Sequence, residues 1–545
     1  MTYGTVNSND GVLTRCGDTM GNSLLRTTKL LYFLGIILFA GAYFVRNQRY
    51  SIDDSFITFR YAYHLMHGFG LVFNVGESYY GTTAAGYAVI LAAVSRAIDA
   101  ISGTARTGES IVSIQSVSVA ISAFSYCVVA ACLPFAAQAG RNGLRWALCA
   151  FFAAYLFVGF PFNAVPGHET YPFLALALLA TVLAESGQSG WAGCLLGIAT
   201  TFRPDTVLLA PILISMDWMR CGTGLKDFLK ARDFKQFCLG YTLILLPWLT
   251  FLFLHFGRII PGTMDAKRAQ VAMGYWALYN PITLFNYFKA LDIIVLIIGA
   301  IGLLAVTGAV VKLRDLKLIF RERELYLATT WLFFGVGSAC AYFSMNVTFW
   351  YWYGIPVFFS LGVASFIGWR IILDFCGAAS EQMSVTKWCG LAVSALPLIF
   401  MTALSLREPD AFLAWLVGPS RDWAHIHAYT EIADYLKRAE PAGTSIQMAE
   451  PGSFAFYLGP KYKVIDELGL ISPGVAKAYL AGDRDFADRT FRAKYLICSW
   501  DGSYSRCSKP ALSSDFELIG EFNVNFWRKE IGHGARLYRR VDSAT

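Results

Sequence analysis

The stretch TTAAGYAVILAAVSRAI, residues 82–98, decides how the rest of the chain is disposed about a membrane. It is apolar but short, and it carries Gly86 and Arg96. One crossing more or less at this point inverts the side on which every later loop lies. Two basic loops arbitrate. Segment 217–235 holds Arg220, Lys226, Lys230, Arg232 and Lys235, and segment 312–324 holds Lys312, Arg314, Lys317, Arg321 and Arg323. Short loops rich in Lys and Arg stay in the cytoplasm. Both do so only if 82–98 lies in or along the outer interface, within a first external loop covering 46–110.

Composition makes the membrane unavoidable. Of 545 residues, 56% are hydrophobic and 15% charged, and mean hydropathy is +0.47. A soluble chain carries about 25% charged residues. Apolar runs of roughly 18 or more residues recur, which excludes an ordinary soluble enzyme and predicts a polytopic α-helical membrane protein. The formal charge of +7 contains no basic block of five or six residues, so nucleic acid is not an expected partner. Spans are expected at 27–45, 111–137, 146–162, 170–186, 190–203, 205–216, 236–256, 290–311, 325–344, 352–372 and 389–406.

This parity divides the chain into a cytoplasmic tail (1–25), a transmembrane module (26–406) and an external α/β domain (407–545). Within the last, an amphipathic helix at 425–440 precedes strands at 445–449, 463–466, 494–499, 516–522 and 535–541. Most cysteines sit in apolar segments and behave as small hydrophobes. Cys498 and Cys507 lie in the polar domain; an oxidising compartment would favour a disulfide, a reducing one two thiols.

Nearly every unusual polar residue then falls on the external side. Asp53 and Asp54 follow the first span, with Arg60 one helical face further on, and Tyr80 stands in the Gly-rich continuation. The turn at 167–169 supplies His168 and Glu169, the Pro-broken segment Arg203-Pro204-Asp205 supplies a cation, and a second loop, 257–289, contains Thr263, Lys267 and Arg268. Charged groups at membrane depth are costly and usually face a cavity or substrate. Each also has a plainer reading. The Asp pair and Glu169 could cap helices, Arg203 and Asp205 could be a structural ion pair, Lys267 could snorkel to the interface, and Trp350 to Tyr353 could form an aromatic belt.

The residues DDSFITFRYAYHLMHGFGLVFNVGE (53–77), YYGTT, PGHE, FRPD and IIPGTMDAKR, in that order, resemble the GT-C superfamily of membrane glycosyltransferases. Within it, the pattern is most similar to terminal arabinofuranosyltransferases of mycobacterial type. The loop parity gives about eleven crossings with in-plane external-loop helices, and the resemblance implies a GT-C fold and a polyprenyl-phosphate-linked sugar as donor. It also implies transfer to a hydroxyl of a glycan, lipid or protein on the outer face of a bacterial cytoplasmic membrane. Arabinofuranose is the first choice of sugar; mannose and aminoarabinose are alternatives. One of Asp53 and Asp54 would be the base, Asp53 being first choice, and Glu169 matches the second acidic position, with His168 a departure from the pattern. The Asp pair could also hold a divalent cation such as Mg2+, Mn2+ or Ca2+.

Physical requirements agree with this. Transfer from a lipid-linked sugar phosphate needs a carboxylate at the acceptor hydroxyl, cations around the leaving phosphate, and access from the bilayer. Lys267, Arg268, Arg203 and Arg60 are the candidate cations, with Tyr80, Thr263 and His168 as further substrate contacts. The alternative from another class is a flippase or transporter of lipid-linked sugars. Transporters tend toward repeated halves and broken helices at the midplane, whereas here polar residues collect at one interface.

Overall fold

In the computed structural model the described residues are 10–48, 51–102, 111–140, 142–158, 165–289, 293–313, 322–378, 423–499, 515–522, 525–526, 529–530 and 534–541. Helices occupy every expected span except 389–406, which lies outside the described residues. They are α1 (Asp10–Asn47), α4 (Ile111–Ala136), α5 (Gly143–Val158), α6 (Thr170–Glu185), α7 (Ser189–Phe202), α8 (Leu209–Cys221), α10 (Arg232–Phe256), α13 (Ile293–Leu313), α14 (Arg323–Met345) and α15 (Tyr351–Ala378). The remaining helices of this module are α2 (Asp53–Met66), α3 (Ala85–Ser102), α9 (Leu225–Lys230), α11 (Thr263–Ala272) and α12 (Pro281–Lys289). Six described helices are long and apolar enough to cross a membrane by length and composition, and Thr170–Glu185 and Gly299–Val311 are shorter apolar helices.

The decisive stretch forms α3, which is one of those six by composition. α2 and α3 run side by side: Thr58 Oγ1 meets Thr82 Oγ1 at 3.4 Å just before α3, and Arg96 Nη1 donates to Met66 O at 3.3 Å near the far end. α2 is itself packed against the helix Gly452–Leu458 of the C-terminal domain through Phe56, Phe59 and Tyr63.

Close helix contact in the bundle depends on missing side chains. On α7, Gly190, Gly193 and Gly197 share a face that meets α10 at Gly240. A Cβ on Gly240 would collide with Gly190 O, and one on Gly193 with Phe237 O. Small residues let apolar helices approach closely where water supplies no hydrophobic drive between them. The FRPD segment breaks the next crossing as expected: Pro204–Leu208 is a 3-10 turn leading into α8.

The C-terminal domain is α/β, with the five-stranded sheet order β2-β1-β3-β7-β4. The strands are β1 (Ser445–Met448), β2 (Lys463–Asp466), β3 (Tyr495–Ser499), β4 (Phe516–Phe522) and β7 (Ala535–Arg540), with a small β5–β6 hairpin (Asn525–Phe526, Lys529–Glu530). β1 is parallel to β2 and β3, and β7 is antiparallel to β3 and β4. All five expected strands form. The helices are α16 (Trp423–Ala439), α17 (Gly452–Leu458), α18 (Val475–Leu480) and α19 (Phe486–Phe491). Cys498 is disulfide-bonded.

One buried apolar cluster runs from the membrane helices into this domain. At the junction Phe456 of α17 sits against Phe56, Phe59 and Tyr63, with ring centroids 5.4, 6.1 and 6.5 Å away. Those three positions, spaced three and four apart, share a face of α2. Replacing Gly240 by Val should force α7 and α10 apart, lowering stability by about 1–3 kcal/mol, a drop readable as an earlier thermal transition in detergent micelles.

Candidate active site

Asp53 and Asp54 open α2, and consecutive helical residues point in different directions. Asp53 turns toward the C-terminal domain. Its Oδ2 accepts from Gly452 N at 3.0 Å, and its Oδ1 accepts from Ser453 N at 2.7 Å and Ser453 Oγ at 2.6 Å. α17 has no side-chain cap of its own at Pro451, so Asp53 caps it from elsewhere in the chain. The approach is tight: a Cβ on Gly452 would meet Asp53 O. Burial, reinforced by the Glu450 charge and opposed by the Ser453 bonds, pushes the Asp53 carboxyl up to about 7.

Arg60, on the same helix, completes this joint. Its Nε donates to Phe73 O at 2.7 Å and Nη2 to Tyr462 O at 3.3 Å, and Nη1 donates to Ala455 O. The guanidinium therefore ties α2 to α17 and the start of β2, away from the acidic groups that the sequence placed with it. Asn74 does the same with its amide, donating to Val464 O at 2.8 Å and accepting from Val464 N at 3.1 Å.

Asp54 faces the membrane module, where its charge acts on Glu169 and Lys267. Glu169 precedes α6 and is buried. Its Oε1 lies 3.8 Å from Arg203 Nη1 and its Oε2 lies 3.4 Å from His168 Nδ1. Burial drives its carboxyl up to about 7 despite the Arg203 charge. Burial and the same Arg203 charge push His168 well below its ordinary value, so it is a neutral imidazole; its Nδ1 pairs with Thr170 Oγ1 at 2.7 Å.

Arg203 is anchored on both sides of the helix break. Its Nε and Nη2 reach the two oxygens of Asp205 at 3.2 and 3.1 Å, and Nη2 also donates to Tyr342 OH at 2.8 Å. Tyr342 OH in turn donates to Asp205 Oδ2 at 3.0 Å. The bidentate pair makes Arg203 an organiser of Glu169. Tyr342 was not foreseen, because nothing in FSMN (343–346) or its surroundings marks one tyrosine among many.

Lys267 is 6% exposed and lies with its Nζ 5.0 Å from the centre of the Trp350 ring. Among the described residues no carboxylate comes within 4 Å of it. Burial lowers its pKa, while Asp54 and Asp466 work the other way. Thr263, the first residue of α11, is buried beside it. Arg268 is not part of the group: its Nε donates to Met345 O at 2.8 Å and so closes the end of α14. Tyr80 stacks on Phe256 at 4.8 Å, and its carbonyl accepts from Gly262 N at 2.7 Å, which fixes the entry into α11. Asp466, also unforeseen, is buried at the end of β2 and accepts from the N–H groups of Leu468, Leu470 and Ile471.

The Asp pair does not suit a divalent cation. Both oxygens of Asp53 already take N–H or O–H donors, leaving Asp54 as the sole available carboxylate of the two. Among the described residues no group of three or more His, Cys, Asp or Glu is arranged to hold a metal.

No family profile and no curated protein matches the chain in sequence. Its fold does match solved structures. The crystal structure of ArnT from Cupriavidus metallidurans in the apo state superposes with a TM-score of 0.56 at 11% identity, covering 94% of this chain and 98% of that one. The archaeal oligosaccharyltransferase AglB from Archaeoglobus fulgidus, in complex with an inhibitory peptide and a dolichol-phosphate, gives 0.51 at 11% identity, covering 95% and 75%. The helix-rich module and small C-terminal α/β domain thus share their overall fold, the GT-C fold, with these structures.

Proposed function

We propose that the chain is a glycosyltransferase that moves a sugar from a polyprenyl phosphate to an acceptor hydroxyl on the outer face of a bacterial cytoplasmic membrane. The observation that carries this reading is the meeting of Asp54, Glu169 and a buried Lys267 that has no carboxylate within 4 Å among the described residues. A cation held out of water without a counter-ion suits an anionic ligand. The disulfide at Cys498 supports placing the domain in an oxidising compartment.

The base is Asp54, since the Asp53 carboxylate is already engaged. Asp54 takes the proton of the acceptor hydroxyl as the acceptor oxygen bonds to the anomeric carbon. The bond from that carbon to the phosphate oxygen breaks, and its electron pair stays on the polyprenyl phosphate, whose charge Lys267 meets. Attack opposite the leaving group inverts the anomeric centre. Glu169, steadied by Arg203, orients the hydroxyl. Acceptors of this chemistry are a glycan, a lipid or a protein side chain. We propose arabinofuranose as the sugar, on the motif resemblance; mannose and aminoarabinose are the competing donors.

Transfer from each of the three polyprenyl phosphate sugars, followed by mass spectrometry of the product, tests the reading directly. Lipid movement across liposomes with no glycosyl product from any donor would instead establish a flippase.

Asp54→Asn should lower kcat by about 10²- to 10⁴-fold with an unchanged melting temperature. Asp53→Ala should behave in the opposite way. Loss of the α17 cap should cost about 1–2 kcal/mol, seen as an earlier thermal transition, with a smaller effect on rate. Equal losses of activity at unchanged stability in both variants would refute this division.

The pH profile supplies a second check. A carboxyl raised to about 7 is protonated at pH 6 and ionised at pH 8, so activity should climb across that window. Glu169→Gln cannot titrate and should flatten the climb while reducing the maximum.

A further inference from the structure

α11 is an unusual helix because the side it buries is polar. Its buried residues include Thr263, Ala266, Lys267 and Gln270, at spacings of three, four and seven. That is the spacing at which a surface helix normally presents an apolar stripe. Gln270 is 1% exposed, and among the described residues neither its Nε2 nor its Oε1 has a hydrogen-bond partner. The indole Nε1 of Trp350, whose ring covers the Lys267 ammonium, is buried and unpartnered too. Trp276, which follows α11, lies 5.3 Å from that same ring. Buried polar groups are nearly always paired, and an orphaned amide costs folding free energy. Three unsatisfied groups on one wall therefore mark a place that a ligand completes.

We propose that Gln270 and Trp350 form the subsite for the donor's sugar ring, with Gln270 reading adjacent ring hydroxyls. This deepens the proposed function and rests on it. Residues three apart on a helix are neighbours, about 5–6 Å between Cβ atoms, so Gln270 stands next to the cation assigned to the phosphate. The sugar joined to that phosphate carries its nearest hydroxyl on the carbon beside the anomeric one. A side-chain amide offers both a donor and an acceptor, which matches two neighbouring hydroxyls, one accepting from Nε2 and one donating to Oε1. The Trp350 indole adds a second donor and an aromatic face. A site built to hydrogen-bond a hydroxyl rejects the analogue that lacks it far more strongly than an apolar pocket rejects an added group.

The test measures binding by the purified full-length chain in nanodiscs. The probes are bare polyprenyl phosphate and the same lipid bearing arabinofuranose, mannose or aminoarabinose. The wild type should bind one glycosylated lipid at least about tenfold more tightly than the bare phosphate. Gln270→Leu should abolish that preference while leaving affinity for the bare lipid unchanged, whereas Lys267→Met should weaken every lipid. The 2-deoxy form of the preferred sugar should lose affinity for the wild type and not for Gln270→Leu, a coupling that a merely structural role would not produce. Gln270→Glu, nearly isosteric, serves if the Leu variant does not fold, and should show the same loss of preference. Retention of the preference in these variants, or equal binding of all four lipids by the wild type, overturns the proposal. Failure of the wild type to bind any of them removes the glycosyltransferase reading itself.

Discussion

The carboxylate of Asp53 on the amino end of α17 is the interaction on which the site depends. It joins α2 to a domain 400 residues later in the chain. The joint is polar at its centre and apolar around it, with Phe456 set against α2 and the Arg60 guanidinium spread over three carbonyls. Because Asp53 is committed to one side, its neighbour Asp54 is committed to another. A doublet that looks redundant in sequence thus divides into a structural carboxylate and one left for the role proposed for Asp54. The same joint brings the 466–472 turn over the site, where Gly81 leaves room for Leu470 and Ile471.

A second constraint is charge balance in a dry place. Arg203 has Asp205 in bidentate contact and Glu169 nearby, so this trio carries more negative charge than positive while Glu169 is ionised. Low polarity answers by raising the Glu169 carboxyl to about 7 and keeping His168 neutral. Across the site, Lys267 has an aromatic face in place of a counter-ion. A cation–π contact lessens the cost of a buried ammonium without cancelling its charge, which is the state needed to receive an anion.

Much of the fold was legible because it follows from periodic and compositional patterns. Ten apolar runs became helices where hydropathy put them, and five β-rich runs became the sheet. The stretch 82–98 became the helix α3, whose composition fits a crossing; an in-plane place for it rests on the charge of loops far away. What sequence could not give was long-range pairing. SIDDSF carries no mark that Asp53 meets Ser453, and Arg60 at helical spacing from the Asp pair reads as a site cation when its acceptors are carbonyls of residues 455 and 462. Arg268 failed for the same reason: adjacent to Lys267 in sequence, it points from α11 to the end of α14. Short helices such as α17, seven residues starting at the Gly that follows Pro451, are below the length at which periodicity speaks.

The polar stripe of α11 shows how a local inconsistency becomes informative. Natural sequences agree with their folds at most levels and depart from that agreement mainly where function demands it. Thr263, Lys267 and Gln270 occupy positions that packing alone would fill with Leu or Ile, and they do so on a helix held between the Trp350 wall and α18. Retaining an ammonium with no carboxylate beside it and an amide with no hydrogen-bond partner there, among the described residues, lowers stability in the empty protein. The arrangement is intelligible if the missing partners arrive with the ligand, so that the groups costing most in the free state contribute most to recognition. Preorganised polar groups in a water-poor site also need no rearrangement as charge develops on a leaving phosphate. On the proposed reading, one short helix serves both halves of the donor, its charge through Lys267 and its hydroxyls through Gln270.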